Sequence, residues 1–447
     1  MKRHFFAFLL TFLLIPSAWS RPVTYQRATS VLGQPDFASS GSVSPVGAQS
    51  FVQPEAIVIE PVTGKVFVSD YQGNRVLRFS STAAYQTNGA AEAVLGQADF
   101  DQTNSMDPPT ASSLYGPGGM AFDSQGNLYV ADYFNRRILR WNNPTTISSG
   151  ATADIVIGQA DFTSKVDPGT GSHSLFDGPW GLCIDASDNL YLGDYDLQRV
   201  LRFADAPSLS GAGITASAVF GQPDLGSFDT GLDPGPGPLL TVGIFNYVWG
   251  LHVDTAGRLW VADNGNVRVL RFDNAATKPS GALPDAVLGQ PNFASSASGQ
   301  GASRLRNAYH LAMDAAGTLW LSDYLNARVL GFKNAGTRPA TGVNNANIVL
   351  GQPNFTATGG ALVNDRTIGL PYGIAVTPAG GLLVADRSAY RVLHFRSENA
   401  ALQASLRTQI AAAQKALKKA KKAGKKAQAK KLAKKVASLN AQLADAS

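Results

Sequence analysis

The chain has 447 residues, 44% of them hydrophobic, and its single cysteine, Cys183, leaves a sizeable core available and excludes an intramolecular disulfide. Its 45 glycines and 24 prolines favour turns over long helices. The net charge of +6 misleads, because residues 401–447 hold eleven lysines and Arg407 against Asp445 alone; the preceding chain is acidic, and the basic pI says nothing about its partners.

At the N-terminus, Lys2 and Arg3 precede the apolar run Phe5 to Ile15 and then Ala18-Trp19-Ser20, a small-x-small cleavage site. This pattern predicts a signal peptide over residues 1–20 and an exported protein, periplasmic or extracellular. No other stretch approaches the roughly 20 apolar residues that a membrane-spanning helix needs.

From residue 31 onward the chain repeats itself. Val31-Leu-Gly-Gln34 returns at 94–97, 156–159, 219–222, 287–290 and 349–352, with glycines 63, 62, 63, 68 and 62 residues apart. A second motif, Asp-x4-Arg-[Val/Ile]-Leu-x-[Phe/Trp] with one Gly at the variable position of the fifth copy, recurs six times. Its pairs are Asp70/Arg75, Asp132/Arg137, Asp194/Arg199, Asp263/Arg268, Asp323/Arg328 and Asp386/Arg391.

Between copies the chain reads as short strands: Gly119–Asp123, Asn127–Asp132, Arg137–Trp141 and Ile155–Gly158 in the second repeat. Calling them a, b, c and d, four strands per period that cannot cover both their own faces stack radially as propeller blades. The first Val-Leu-Gly-Gln precedes any a strand, and the last c strand, Arg391–Phe395, has no d strand after it. Residues 29–34 are therefore expected to complete the sixth blade and close the ring, removing its open edges. The predicted fold is all-β, a six-bladed β-propeller over residues 21–397 closed by its N-terminal strand, followed by a basic α-helical tail over 398–447.

Pro117–Asp123 and Gly126–Asp132 resemble the NHL-repeat family, and the likeness extends over roughly residues 29–396. It implies a fold more than a function, since NHL propellers serve as protein-binding, RNA-binding and enzymatic scaffolds.

The Asp–Arg pairs occur in every blade and bracket the b–c turn, which predicts structural ion pairs rather than one active site. Each carboxylate is expected to meet its own guanidinium and to accept N–H groups of the turn. Individuality is expected on strand a, the innermost. Its aligned second position reads Glu55, Gly118, Trp180, Trp249, Tyr309 and Tyr372, and the next reads Ala56, Gly119, Gly181, Gly250, His310 and Gly373. Four consecutive blades thus bring an aromatic ring to the channel mouth, where Trp180, Trp249, Tyr309 and Tyr372 could stack a sugar, a peptide or a cationic group, with Glu55 and His310 as polar contacts. The alternative is that the rings plug the channel. The long d–a loops define the expected binding face, and their Asp107-Pro108, Asp167-Pro168 and Asp233-Pro234 pairs read as turn starters rather than calcium loops.

No catalytic constellation stands out. His252 and His310 lie on adjacent a strands, so a shared calcium or zinc ion in the channel stays open as an alternative, although no cofactor is expected. In the tail, Leu402, Leu406, Ile410, Ala413, Leu417 and Ala420 form one apolar stripe, and Leu432, Val436, Leu439 and Leu443 resume it after Gly424. The tail is expected either to fold back or pair as a coiled coil, or to address an anionic envelope surface, nucleic acid being a less natural partner outside the cytoplasm. The leading functional expectation is a non-catalytic binding or scaffold propeller taking protein, peptide or carbohydrate on its loop face. A channel-face enzyme of metal-dependent lactonase or lyase type is the alternative.

Overall fold

The structure, a computed structural model, describes residues 24–81, 86–166, 176–227, 245–358, 363–424 and 426–445. The expected leader and the Asp167-Pro168 and Asp233-Pro234 pairs lie outside these residues. The described residues form six four-stranded sheets. In blade 2 the strands are a (Pro117–Phe122), b (Leu128–Asp132), c (Arg137–Trp141) and d (Ile155–Ile157), hydrogen-bonded antiparallel in that order.

Blade 6 contains Pro371–Val376, Leu382–Asp386 and Arg391–Phe395, and its fourth strand is Ser30–Leu32, with Ser30 opposite His394 and Leu32 opposite Val392. Strands b and c of blade 2 are buried along their whole length, because each sheet is covered on both faces by its neighbours. The core accordingly lies between blades: Phe67, Val76 and Leu95 of blade 1 pack with Met120, Leu128, Val130, Leu139 and Trp141 of blade 2.

The two repeated motifs turn out to be one device. Each Asp-x4-Arg turn ends on a residue forced into the left-handed region, namely Asn74, Arg136, Gln198, Val267, Ala327 or Tyr390, with φ between 50° and 53°. For a residue with a Cβ this is costly, and for β-branched Val267 especially so. The amide of the Val-Leu-Gly-Gln glutamine donates to the carbonyl of that same residue, as Gln97 does to Asn74 at 2.8 Å and Gln290 to Val267 at 2.9 Å. The motif glycines have φ of +83° to +91°, and a Cβ at Gly96 or Gly158 would fall 2.5 Å or less from Leu114 or Phe176 of the returning loop.

The arginines complete the clasp. Arg75, Arg137, Arg199, Arg268, Arg328 and Arg391 donate from Nε to Asp70, Asp132, Asp194, Asp263, Asp323 and Asp386 respectively, at 2.7–3.2 Å, and both side chains of every pair are buried. The expectation that the carboxylates also accept backbone N–H groups of the b–c turn needs correcting. Those they accept come from the end of the preceding long loop: Gln53 donates to Asp70 at 2.6 Å, Tyr115 to Asp132 at 2.7 Å, Gly178 to Asp194 at 3.0 Å, Asn246 to Asp263 at 2.8 Å, Arg306 to Asp323 at 2.8 Å and Gly369 to Asp386 at 3.0 Å. In the b–c turn of blade 1 the N–H groups of Tyr71 and Asn74 go instead to the carbonyls of Gln53 and Tyr71.

The guanidinium groups reach beyond the turn in the same way. Arg75 donates to the carbonyls of Ser50 and Phe100, Arg137 to those of Ser113 and Phe162, and Arg328 to those of Arg304 and Phe355: in each case the end of one long loop and the start of the next. Arg199 holds the Leu225 carbonyl at 3.1 Å, and Arg268 holds that of Phe293. A buried ion pair with its hydrogen-bonding capacity filled in this way is a fixed corner, and it anchors loops rather than only its own turn.

The tail forms two helices, α1 (Glu398–Lys422) and α2 (Lys426–Asp445), with Gly424 at φ +67° between them. Leu406, Ile410 and Ala413 of α1 pack on Val436 and Leu439 of α2, so this part of the apolar stripe is buried inside a helical hairpin. Lys415, Lys418, Lys419, Lys421, Lys422, Lys434 and Lys435 are exposed. No described helix is long and apolar enough to cross a membrane.

Candidate functional site

Strand a begins beside the b–c turn, since Pro54 pairs with Asp70 and Pro371 with Asp386. The second residue of each a strand therefore meets the turn residues at the long-loop end of the channel. There Trp180, Trp249, Tyr309 and Tyr372 are brought together: ring centroids are 4.6 Å apart for Trp180–Trp249, 4.3 Å for Trp249–Tyr309 and 4.7 Å for Tyr309–Tyr372. Gly118 leaves room on the blade 2 side, where a Cβ would stand 3.6 Å from the Trp180 ring. The rings fill the mouth rather than framing a hole. Trp180 and Tyr372 are buried, while Trp249 and Tyr309 are half-exposed.

A second tier of rings comes from the residue after each motif aspartate: Tyr71, Tyr133, Tyr195 and Tyr324. Tyr71 and Tyr133 pack on Trp180 at 5.4 and 5.1 Å, Tyr195 on Trp249 at 5.4 Å, and Tyr324 on Tyr309 at 4.5 Å. Tyr195 stacks on exposed Tyr247 at 5.0 Å. Aligning the position after the aspartate would have revealed this tier, and it would also have revealed blade 6, where Arg387 replaces the tyrosine. Arg387 lies over the Tyr372 ring, 4.5 Å from its centroid, and donates to the Tyr372 hydroxyl.

Glu55 lies at this same end, buried, with Oε2 lacking any hydrogen-bond partner. Loss of hydration pushes its carboxyl up to about 8, against the opposing pull of the Arg387 guanidinium. Glu55 and Arg387 are thus the charged departures from the blade pattern at this end, beside Gly118 and Asn264, and the guanidinium acts electrostatically on the carboxyl from the neighbouring blade.

His310 does not join the rings. One residue further along its strand, it lines the channel with His252 on the other side of the ring layer, in a cavity of about 290 Å³ walled by Ile57, Met120, Leu182, Leu251 and Ile374 among others. At the neighbouring blades a Cβ would collide with the next strand: 2.4 Å from the Trp249 carbonyl at Gly181 and 2.4 Å from the Tyr309 carbonyl at Gly250. Burial pushes both imidazoles down to about 4, and His252 adds to the effect on His310. Among the described residues, no group of three or more His, Cys, Asp or Glu is placed to hold a metal ion. Asp107 lines a separate cavity of about 750 Å³ among the loops, with Gln97, Asn104, Met106, Ser112 and Ser149.

The NHL repeat family matches residues 245–272, the first three strands of blade 4. No curated protein matches the chain. Among solved structures, a protein of unknown function from Bacteroides thetaiotaomicron superposes with a TM-score of 0.50 at 13% identity, over 82% of this chain and 76% of that one. An auxiliary nutrient binding protein from the same organism gives 0.49 at 11% identity, over 82% and 76%. Virginiamycin B lyase from Staphylococcus aureus gives 0.44 at 12%, over 78% and 97%. At these identities the likeness concerns the fold alone. Residues 245–272 thus match one NHL repeat, and the described residues fold as a six-bladed β-propeller.

Proposed function

We propose that the protein is an exported, non-catalytic binding propeller that takes a saccharide on the aromatic surface of its long-loop face. One observation carries this reading: a continuous field of rings from Tyr71 through Trp180, Trp249 and Tyr309 to Tyr324, with Trp249, Tyr309 and the turn tyrosines half-exposed. Sugar rings present apolar C–H faces that stack on such a surface while their hydroxyls stay in water. A cationic ligand fits less well, because Arg387 already covers Tyr372 and Glu55 is held largely protonated near neutrality.

Binding of the full-length chain to an immobilised panel of neutral and acidic glycans tests this, alongside Trp249→Ala. Saturable binding weakened roughly tenfold or more by the substitution supports the reading. Absence of any glycan binding, or binding indifferent to Trp249, contradicts it.

Glu55 supports a second reading, a channel-face enzyme, because a buried carboxyl that keeps its proton near neutral pH beside an arginine is a candidate general acid. Glu55→Gln separates the two: a binding module keeps its glycan affinity, whereas an enzyme loses turnover. The tail's proposed role is to address an anionic envelope surface. Its apolar faces are turned inward, so the attraction would come from exposed lysines rather than from insertion into lipid.

A further inference from the structure

The other end of the channel carries a different chemistry. Two of the six a strands break the blade pattern there with a histidine. His252 stands where the other blades have Val58, Ala121, Cys183, Ala312 and Ala375, and His310 stands where four blades have glycine. The two residues are on adjacent blades, and both line the cavity of about 290 Å³. Apart from them and the Cys183 thiol, the lining is aliphatic, aromatic or thioether. Ile59, Phe122, Ile184, Met313 and Val376, the last residues of their strands, are half-exposed at its rim, so the cavity opens beside the a–b turns, away from the ring layer.

Water held against such walls gives up hydrogen bonds without compensation, so an apolar body gains by displacing it. A cavity of about 150 Å³ is enough for benzene, so this one has room for a single ring bearing a short alkyl chain. Each neutral imidazole offers one N–H donor and one bare nitrogen acceptor, the complement of a hydroxyl, which is also both donor and acceptor. Nδ1 of His310 is buried and has no hydrogen-bond partner among the described residues that meets full geometry, the ring lying close to the Leu311 backbone. No carboxylate is part of the lining itself, although Asp254 and Asp185, just past the ends of their strands, act on His252 and Cys183; a carboxylate ligand would lose its hydration against the apolar wall.

We infer that this end of the channel is a binding site for a small, uncharged alkylphenol-like molecule, its ring against the strand a side chains and its hydroxyl on His252 and His310. The site is independent of the saccharide surface.

Isothermal titration of the full-length chain with 4-propylphenol, propylbenzene and 4-propylbenzoate tests the inference. One molecule of 4-propylphenol should bind per chain, about 3- to 10-fold more tightly than propylbenzene, the gain expected of a hydrogen bond between neutral groups. The benzoate should bind most weakly of the three. His310→Gly and His252→Ala restore what other blades carry at those positions; each should reduce the phenol preference while leaving propylbenzene affinity within about twofold. Should His310→Gly fail to fold, His252→Ala carries the test alone. Lack of saturable binding of either uncharged probe overturns the inference. So does benzoate binding as tightly as the phenol, or a phenol preference that survives in every folded variant.

Discussion

The same six strands build both ends of the channel and leave them in opposite states. At the long-loop end, the second residue of strand a is a large ring in four blades, and the rings pack on one another until the mouth is full. At the a–b end the fifth residue of strand a is Ala, Cys or Val in five blades, and an apolar well remains, walled also by Ile, Leu and Met side chains. Blade stacking is set elsewhere, by the Asp–Arg–Gln clasp and the cores between sheets. The axis is therefore free to vary, and departures with titratable side chains fall there: Glu55 and Arg387 at the filled end, His252 and His310 at the open one.

The largest effect should come from breaking what both ends share. Deleting residues 21–36 removes Ser30–Leu32 and exposes the edge of Arg391–Phe395. Thermal unfolding should begin roughly 10 °C lower or more, with aggregation through the free edge; unfolding unchanged in temperature and cooperativity would refute the role given to that strand.

The two ends should then separate by pH. Between the ordinary value of 4.5 and about 8, the unfolded chain ionises Glu55 while the folded chain keeps the proton. Stability therefore falls as pH rises through that window. Glu55→Gln should remove the slope and gain about 3–5 kcal/mol over the wild type at pH 9 in denaturant titrations. Parallel stability profiles for the two proteins would show that Glu55 ionises freely.

Trp249→Ala should cost about 2–4 kcal/mol, because this ring touches Trp180, Tyr195, Tyr309 and Tyr372, yet it should leave 4-propylphenol binding unchanged. The open end titrates in the other direction. Its histidines stay neutral in the fold down to about 4, whereas the unfolded chain takes up protons from about 6.5, so stability falls as pH drops between those values. His310→Gly should relieve about 1–3 kcal/mol of that acid loss. The smallest effect on stability belongs to the tail: a chain ending at Ser397 should melt within about 2 °C of the full protein. It should also lose salt-sensitive sedimentation with anionic vesicles, and equal weak binding by both chains at low salt would remove the surface-targeting role.

The blades were legible in the sequence because their period is carried by residues with no freedom. A glycine at φ near +85° and an arginine such as Arg137, at the centre of four hydrogen-bonded partners, cannot drift without opening a loop. What the spacing of Asp70 and Arg75 could not show is which loops the pair holds, because Ser50 and Phe100 lie 25 residues away on either side. Trp180, Trp249, Tyr309 and Tyr372 could be aligned because the blades repeat, and the structure brings them together. Whether rings at one level line an opening or close it depends on their reach across the axis, which no spacing encodes. His310 directly follows Tyr309, but strand a shifts register between Ala308 and Leu311, and the histidine lines the cavity beyond the rings. Arg387 lies on the turn that follows strand b, a position that an alignment of strand a does not contain. In the tail, the apolar stripe was visible and its partner was not, since helices facing each other and helices facing a surface need the same pattern.

Tryptophan emission gives the most direct test that the channel holds two independent sites. Trp141, Trp260 and Trp320 are buried within the blades, so Trp180 and Trp249 are the indoles placed to respond at the ring layer. The protein should be titrated with the tightest glycan from the panel, in the absence and in the presence of saturating 4-propylphenol. The account predicts a saturable change in emission on adding glycan, with the same midpoint in both titrations. A midpoint displaced by the phenol, or emission that no glycan alters, would contradict it.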